Sequence, residues 1–259
     1  PGMAARSAFD VRRYEQDNKK SLICQLCALF YEHGWVTGTG GGISIREGDD
    51  RVYVAPSAVQ KEDLIEDDIF VLDMQQNVVE APRTPKLKQS ACTPLWYVVY
   101  RNRPEARSVI HTHSMWAQLA TMIQGETAPE LRITHFEMLK GVGGHGYSDE
   151  LVIPIIDNRP TEDQLAAQLD AAVKKYPKAN AVLVRRHGVY VWGSSWQQAK
   201  TQCECFDYLF ETAVRLHGMG VDFGAKPTVS TYHDDEVAKQ AESVQDDQPQ
   251  AKRSRQGSA

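Results

Sequence analysis

Two histidines stand two residues apart in Val109-Ile110-His111-Thr112-His113-Ser114. The run opens apolar and β-branched, which favours a strand. Side chains then alternate faces, so His111 and His113 point one way and Thr112 the other. Two imidazoles one pleat apart can reach the same divalent cation. His187 is the candidate third ligand. It lies between Val182 and Gly193, where two β-rich runs flank a His-Gly pair that reads as a tight reversal or a break between strands. Three histidines plus an open position is the pattern of a catalytic zinc, one ion per chain, whereas structural zinc usually closes its shell with cysteines. Spacing alone leaves a plainer alternative open, two exposed strand histidines with no metal.

A second stretch able to do chemistry is Gly38-Thr39-Gly40-Gly41-Gly42. Its backbone can approach a ligand closely and offer N–H groups to an anion. It is neither a P-loop, lacking Gly-Lys-Ser/Thr, nor a dinucleotide fingerprint, and a flexible turn reads equally well. The basic loop from Pro82 to Lys88 reads as solvated, with a phosphate clamp as the sharper alternative. Two cysteine pairs, Cys24/Cys27 and Cys203/Cys205, could suggest a second metal site. Both fall in helical patterns among apolar residues, and positions i and i+2 of a helix face apart, so these thiols are expected to pack as small hydrophobes.

The elements that must position these residues follow from pattern and punctuation. Asp17-Asn18 offers an N-cap for a helix through Leu22, Leu26 and Phe30 that stops near Gly34. Strands are expected at Val52–Ala55, Ile69–Leu72 and Leu151–Ile156. A helix starts at Cys92 or Thr93, with Pro94 tolerated in its first turn. Ser114 can cap a helix through Leu119 and Met122. Thr161 is expected to cap one through Leu165, Leu169 and Val173, and the last helix runs from about Ser195 to Gly218 or Gly220. Residues 17–223 then form one domain, with a flexible start over 1–16 and a disordered tail over 224–259, whose composition turns to Asp, Gln, Lys and Ser.

The composition, 42% hydrophobic and 24% charged over 259 residues, suits a soluble globular chain that forms a core without disulfides. A net charge of −5 gives no basic footprint for nucleic acid. No apolar run is long enough to span a bilayer, and Met3-Ala4-Ala5-Arg6 does not begin a secretory signal. Five cysteines, an odd number, favour a reducing, cytoplasmic home. Lys252-Arg253-Ser254-Arg255 reads as a short basic cluster in a solvated tail rather than a nuclear signal.

Taken in order, Gly34 to Ser44, Cys92-Thr93-Pro94-Leu95, His111-Thr112-His113-Ser114, Thr134-His135-Phe136-Glu137-Met138 and Val182 to Gly193 resemble the class II aldolase/adducin family over roughly residues 20 to 220. The nearer likeness is to its sugar-phosphate dehydratase branch, which serves methionine salvage. The resemblance implies an α/β fold, a three-layer α/β/α domain with a central, mostly antiparallel mixed sheet. It also implies a homotetramer and one Zn²⁺ per subunit on His111, His113 and His187. Glu137 matches the dehydratase acid/base, and Cys92 a substrate-contacting position. Phosphate would rest on the amides of Gly40, Gly41 and Gly42, with Ser57, Ser90 and Lys61 or Lys88 helping. Animal relatives are also linked to restraint of cell death through an apoptotic protease-activating factor, a surface no residue here displays. The family's aldolases carry a carboxylate where this chain has Cys92, and their Gly-Asn-x-Ser and Thr-Gly appear as Gly41-Gly42-Ile43-Ser44 and Ser57-Ala58. The first departure removes the aldolase base and makes aldol cleavage less favoured than loss of water, while the other two leave phosphate binding leaning more on backbone amides. An aldolase or epimerase, or a non-catalytic adducin-like interaction module, are the alternatives.

Overall fold

Asn18 opens the first helix. Its side-chain carbonyl accepts from the amides of Lys20 and Ser21, satisfying two of the four amides that a helix start leaves unpaired. The computed structural model of the protein describes residues 17–228, so the expectations for 1–16 and for the tail from 229 onward lie outside the described residues. Helix α1 (Lys19–Glu32) buries Leu22, Ile23, Leu26, Cys27 and Phe30, and the chain leaves it through Gly34 at φ 73°. The other helices are α2 (Thr93–Asn102), α3 (Met115–Ala120), α4 (Ala166–Lys175) and α5 (Trp196–Gly218).

Among the described residues, nine strands form one mixed sheet. They are β1 (Gly42–Glu47), β2 (Arg51–Val54), β3 (Phe70–Leu72), β4 (Val78–Glu80), β5 (Ser108–Thr112), β6 (Glu130–Thr134), β7 (Glu150–Ile156), β8 (Ala181–Val184) and β9 (Gly188–Gly193). Their order is β4-β3-β2-β1-β5-β9-β8-β7-β6. Every pairing is antiparallel except β7 with β8, which α4 joins as a crossover. Two cores result. Residues of α1, α3 and α5 pack on one face with Ile43, Ile110, Leu183 and Val191, while residues of α2 and α4 pack on the other with Val109, Val182, Tyr190 and Trp192. The expected three-layer arrangement and mostly antiparallel sheet are both present.

Strand direction decides what can meet. The C-terminal ends of β2, β5, β7 and β8 and the N-terminal ends of β1 and β9 all lie along one end of the sheet, because β7 and β8 run parallel and the pairings from β2 to β9 alternate. The Gly-rich loop, Ser57, His113, the segment after β7 and the turn holding His187 therefore share that end. Strand β6 runs against β7, pairing Thr134 with Glu150, so the chain leaves β6 at the opposite end.

Two backbones approach closely beside the histidines. Gly188 follows His187, and a Cβ placed on it would stand 1.8 Å from the carbonyl oxygen of Thr112, which lies between His111 and His113. Gly188→Ala must therefore push β9 off β5. It is expected to destabilise the fold by about 1–3 kcal/mol, the range for overpacking. Gly218→Ala, where no atom lies within 4 Å, is expected to be neutral or slightly stabilising. Urea titrations of the two variants check the contrast.

Candidate active site and metal centre

His111 is the second-last residue of β5, fully buried, and pairs in register with Gly42 of β1 and Tyr190 of β9. Its Nδ1 faces the carbonyl oxygen of Val189 at 3.1 Å, so Nδ1 carries the proton and Nε2 presents a lone pair. His113 leaves the strand on the same face, its backbone amide held by the carbonyl of Trp35 at 2.8 Å. His187 closes the β8–β9 turn, its amide bonded to Val184 O at 3.1 Å. Its Nδ1 faces Asn158 Oδ1 at 3.0 Å, which again leaves Nε2 as a lone pair.

The three Nε2 atoms converge. His111 and His113 are 3.1 Å apart, His111 and His187 3.3 Å, and His113 and His187 3.0 Å. Nitrogens bound to one tetrahedral zinc at ~2.0–2.1 Å stand about 3.3–3.4 Å apart, so the spacing fits a shared cation closely. Hydrogen bonding does not explain it, because the Nε2 atoms of His111 and His187 both present lone pairs. Burial pushes the His111 imidazole well below its ordinary range, takes His113 down to about 4 with further help from the nearby His187, and lowers His187 against the pull of Glu162. All three rings are thus held neutral, the form that ligates.

Sequence reasoning missed a fourth member. Glu162 joins the three histidines in a set whose ligand atoms all lie within 4.8 Å of one another. Its Oε1 is 3.2 Å from His187 Nε2, and its Oε2 accepts from the Tyr190 hydroxyl at 2.8 Å. Thr161 was expected to cap an α-helix here. It makes no side-chain cap, and Glu162–Leu165 instead form a 3₁₀ turn ahead of α4. In the sequence Glu162 reads as an ordinary first-turn acid of that helix. Only the parallel β7–β8 pairing, which carries Asn158 and Glu162 beside His187, reveals the cluster.

Arg185 anchors the turn that offers His187. Its guanidinium donates to Asp157 Oδ1 at 3.0 Å, Thr121 O at 2.9 Å and Ala128 O at 2.8 Å, tying three segments to one side chain. A cleft of about 530 Å³ opens beside the cluster, lined by His113, His187, Glu162, Asn158, Ala91, Gln118 and Arg186 among others.

The remaining candidates divide. Cys92 is buried just ahead of α2, beside the Ser90 and Tyr190 side chains, and burial together with the nearby Glu162 pushes its thiol up to about 12. It stays protonated and is no nucleophile at neutral pH. The loops of Ser57 and Ser90 run side by side: Ser57 N donates to Lys88 O at 2.9 Å, and Cys92 N donates to Ser90 Oγ at 3.2 Å. Gly40 and Gly41 leave room for their neighbours. A Cβ on Gly40 would sit 2.2 Å from His113 Nδ1, and one on Gly41, at φ 64°, 2.7 Å from His111 O. Lys61 is buried against this loop, donating to Thr39 O at 2.9 Å and Val59 O at 3.2 Å, whereas Lys88 is exposed. Glu137 is not brought to the histidines. It opens a 3₁₀ turn after β6, is exposed, and pairs with Lys140 at 2.8 Å. The seven residues of β7 separate the two ends of the sheet by about 20 Å.

Residues 21–214 match the family described as class II aldolase and adducin N-terminal domain, and the chain belongs to that family. Among its relatives, the probable methylthioribulose-1-phosphate dehydratase of Dictyostelium discoideum is 52% identical over 218 residues, 81% of this chain and 92% of that protein. The methylthioribulose-1-phosphate dehydratase of Danio rerio is 50% identical over 221 residues, 83% of this chain and 90% of that one. Of solved structures, an L-fuculose 1-phosphate aldolase aligns at a TM-score of 0.65 with 20% identity, covering 89% of this chain and 97% of its own. A sugar-phosphate aldolase from Thermotoga maritima aligns at 0.59 with 14% identity, covering 81% and 98%.

Asn158→Ala removes the acceptor that orients His187 without touching a nitrogen of the cluster. It is expected to weaken divalent-metal binding by roughly 10–100-fold, the usual yield of such an outer partner. Competition with a chelator measures this, and unchanged affinity would show that Asn158 does not set the ring.

Proposed function

We propose that the chain dehydrates 5-methylthioribulose 1-phosphate to 2,3-diketo-5-methylthiopentyl 1-phosphate, the methionine-salvage step, with one Zn²⁺ per subunit on His111, His113 and His187. The convergence of three neutral Nε2 atoms within 3.3 Å carries this reading, in a chain half identical to dehydratases over four-fifths of its length. Neutral imidazoles with space beside them suit a catalytic zinc. A divalent cation held there supplies Lewis acidity toward the substrate's C2 oxygen and C3 hydroxyl.

The substrate has a ketone at C2, hydroxyls at C3 and C4, and a phosphate on C1. Removing the C3 proton and expelling the C4 hydroxyl releases one water and leaves an enol, which tautomerises to the diketone. One group must accept a proton and one must donate it. Glu137 is proposed for this transfer. Because it stands at the far end of its own sheet, it serves the histidine cluster of a neighbouring copy, which requires the homotetramer or a smaller oligomer of the same contact. The protonated Cys92 thiol forms a neutral wall where the aldolases have a carboxylate, which disfavours carbon–carbon cleavage. The amides of Gly40, Gly41 and Gly42, with Ser57, Ser90 and the Lys61 ammonium, are proposed to receive the phosphate. Five free cysteines fit a reducing cytoplasm. No helix among the described residues is long and apolar enough to cross a membrane.

Glu137→Gln is expected to keep its metal and lose turnover by roughly 10²–10⁴-fold. The wild type should give the 2,3-diketone by NMR with no shorter aldehyde. Two fragments in place of a dehydrated product would make this an aldolase. Co-expressing Glu137→Gln with His111→Ala chains should restore part of the activity, since a mixed oligomer pairs an intact Glu137 with an intact cluster. No recovery would place the proton-transfer group elsewhere, and a strictly monomeric wild type by light scattering would do the same.

A further inference from the structure

Tyr190 touches three members of the site and has no part in the chemistry above. Its ring stacks on His111, centroids 4.0 Å apart and planes 7° from parallel, as the register of β5 against β9 requires. Its hydroxyl donates to Glu162 Oε2 at 2.8 Å and adjoins the Cys92 thiol. The phenol is fully buried, with the Glu162 carboxylate as its acceptor, and a carboxylate offers no donor of its own.

Glu162 needs such a partner. It sits on a short 3₁₀ turn, and among the described residues no cationic side chain pairs with it, since the nearby His187 is held neutral. His187 presents a lone pair to Glu162 Oε1 at 3.2 Å, which repels a carboxylate unless a cation lies between them. Without an anchor on Oε2, the side chain would turn into the adjoining cleft, where water can solvate it.

We propose that Tyr190 is a positioning residue: its hydroxyl fixes one oxygen of Glu162 so that the other faces the cation held by the histidines, while its ring face fixes the plane of His111. The hydroxyl and the ring are separable. Tyr190→Phe keeps the stack and the buried volume and removes only the hydroxyl. The inference rests on the metal reading, so the metal itself is the probe.

The test titrates Co²⁺ into the full chain, freed of metal, following the ion's visible absorption for the wild type, Tyr190→Phe, Glu162→Gln and the double variant. Tyr190→Phe should weaken Co²⁺ roughly 10–100-fold and alter the visible band, as loss of an outer partner does. The double variant should bind no more weakly than Glu162→Gln alone, because Tyr190 acts through that carboxylate. Glu162→Asp, one methylene shorter, should reproduce part of the loss even if Tyr190→Phe folds poorly. Tyr190→Phe binding like the wild type, losses that multiply in the double variant, or Glu162→Asp without effect would each overturn the assignment. A wild type that takes up no Co²⁺ would overturn the metal reading itself.

Discussion

Three imidazole nitrogens and a carboxylate oxygen are crowded together with their lone pairs inward, and the rest of the site exists to hold them there. Such a cluster is unfavourable by itself. Two Nε2 atoms whose partner nitrogens are tied to Val189 O and Asn158 Oδ1 cannot donate to each other. A carboxylate beside a neutral ring adds to the repulsion. A divalent cation turns each of these contacts from repulsive to attractive, so the preorganisation that weakens the protein without metal strengthens it with metal. Folding and binding would then be linked, and a cation held there would contribute stability wherever it exceeds its dissociation constant.

The sheet supplies what the cluster needs. The end of β5 and the residue just beyond it give His111 and His113, and the β8–β9 turn gives the third. The single parallel pair, β7 with β8, delivers Asn158 and Glu162 to the same end. A fully antiparallel path would have sent the residues after β7 to the other end, as happened to those after β6. The Gly-rich loop completes the wall because only glycine leaves room for His113 at residue 40 and for the His111 carbonyl at residue 41.

What the sequence made legible was local. A histidine pair at strand spacing, a His-Gly between β-rich runs and the caps of α1 and α3 are short-range patterns, and the three histidines are brought together from them. Glu162 was not legible, because its role depends on β7 pairing with β8 across a crossover helix and on a first turn that is 3₁₀ rather than α. The Gly-rich loop read as either an anion cradle or a flexible turn, and the further need for glycine at residues 40 and 41 beside the histidines is set by a strand pairing 69 residues away in sequence, Gly42 with His111. The place of Glu137 could not be read either, since nothing local says that β6 runs against β7.

The five thiols carry a different consequence. Each is pushed above its ordinary range, burial being the first cause every time, and Cys24, Cys27 and Cys92 reach about 12. At pH 7 a thiol of that kind is ionised in roughly one molecule in 10⁵, and thiolate is the species that alkylating agents and peroxides attack. Burial thus disfavours the reactive form at every cysteine of the folded chain, the one at its site included. Cys27, Cys92, Cys203 and Cys205 are buried and come into reach as the cores open, which makes the rate of their labelling a natural clock for unfolding.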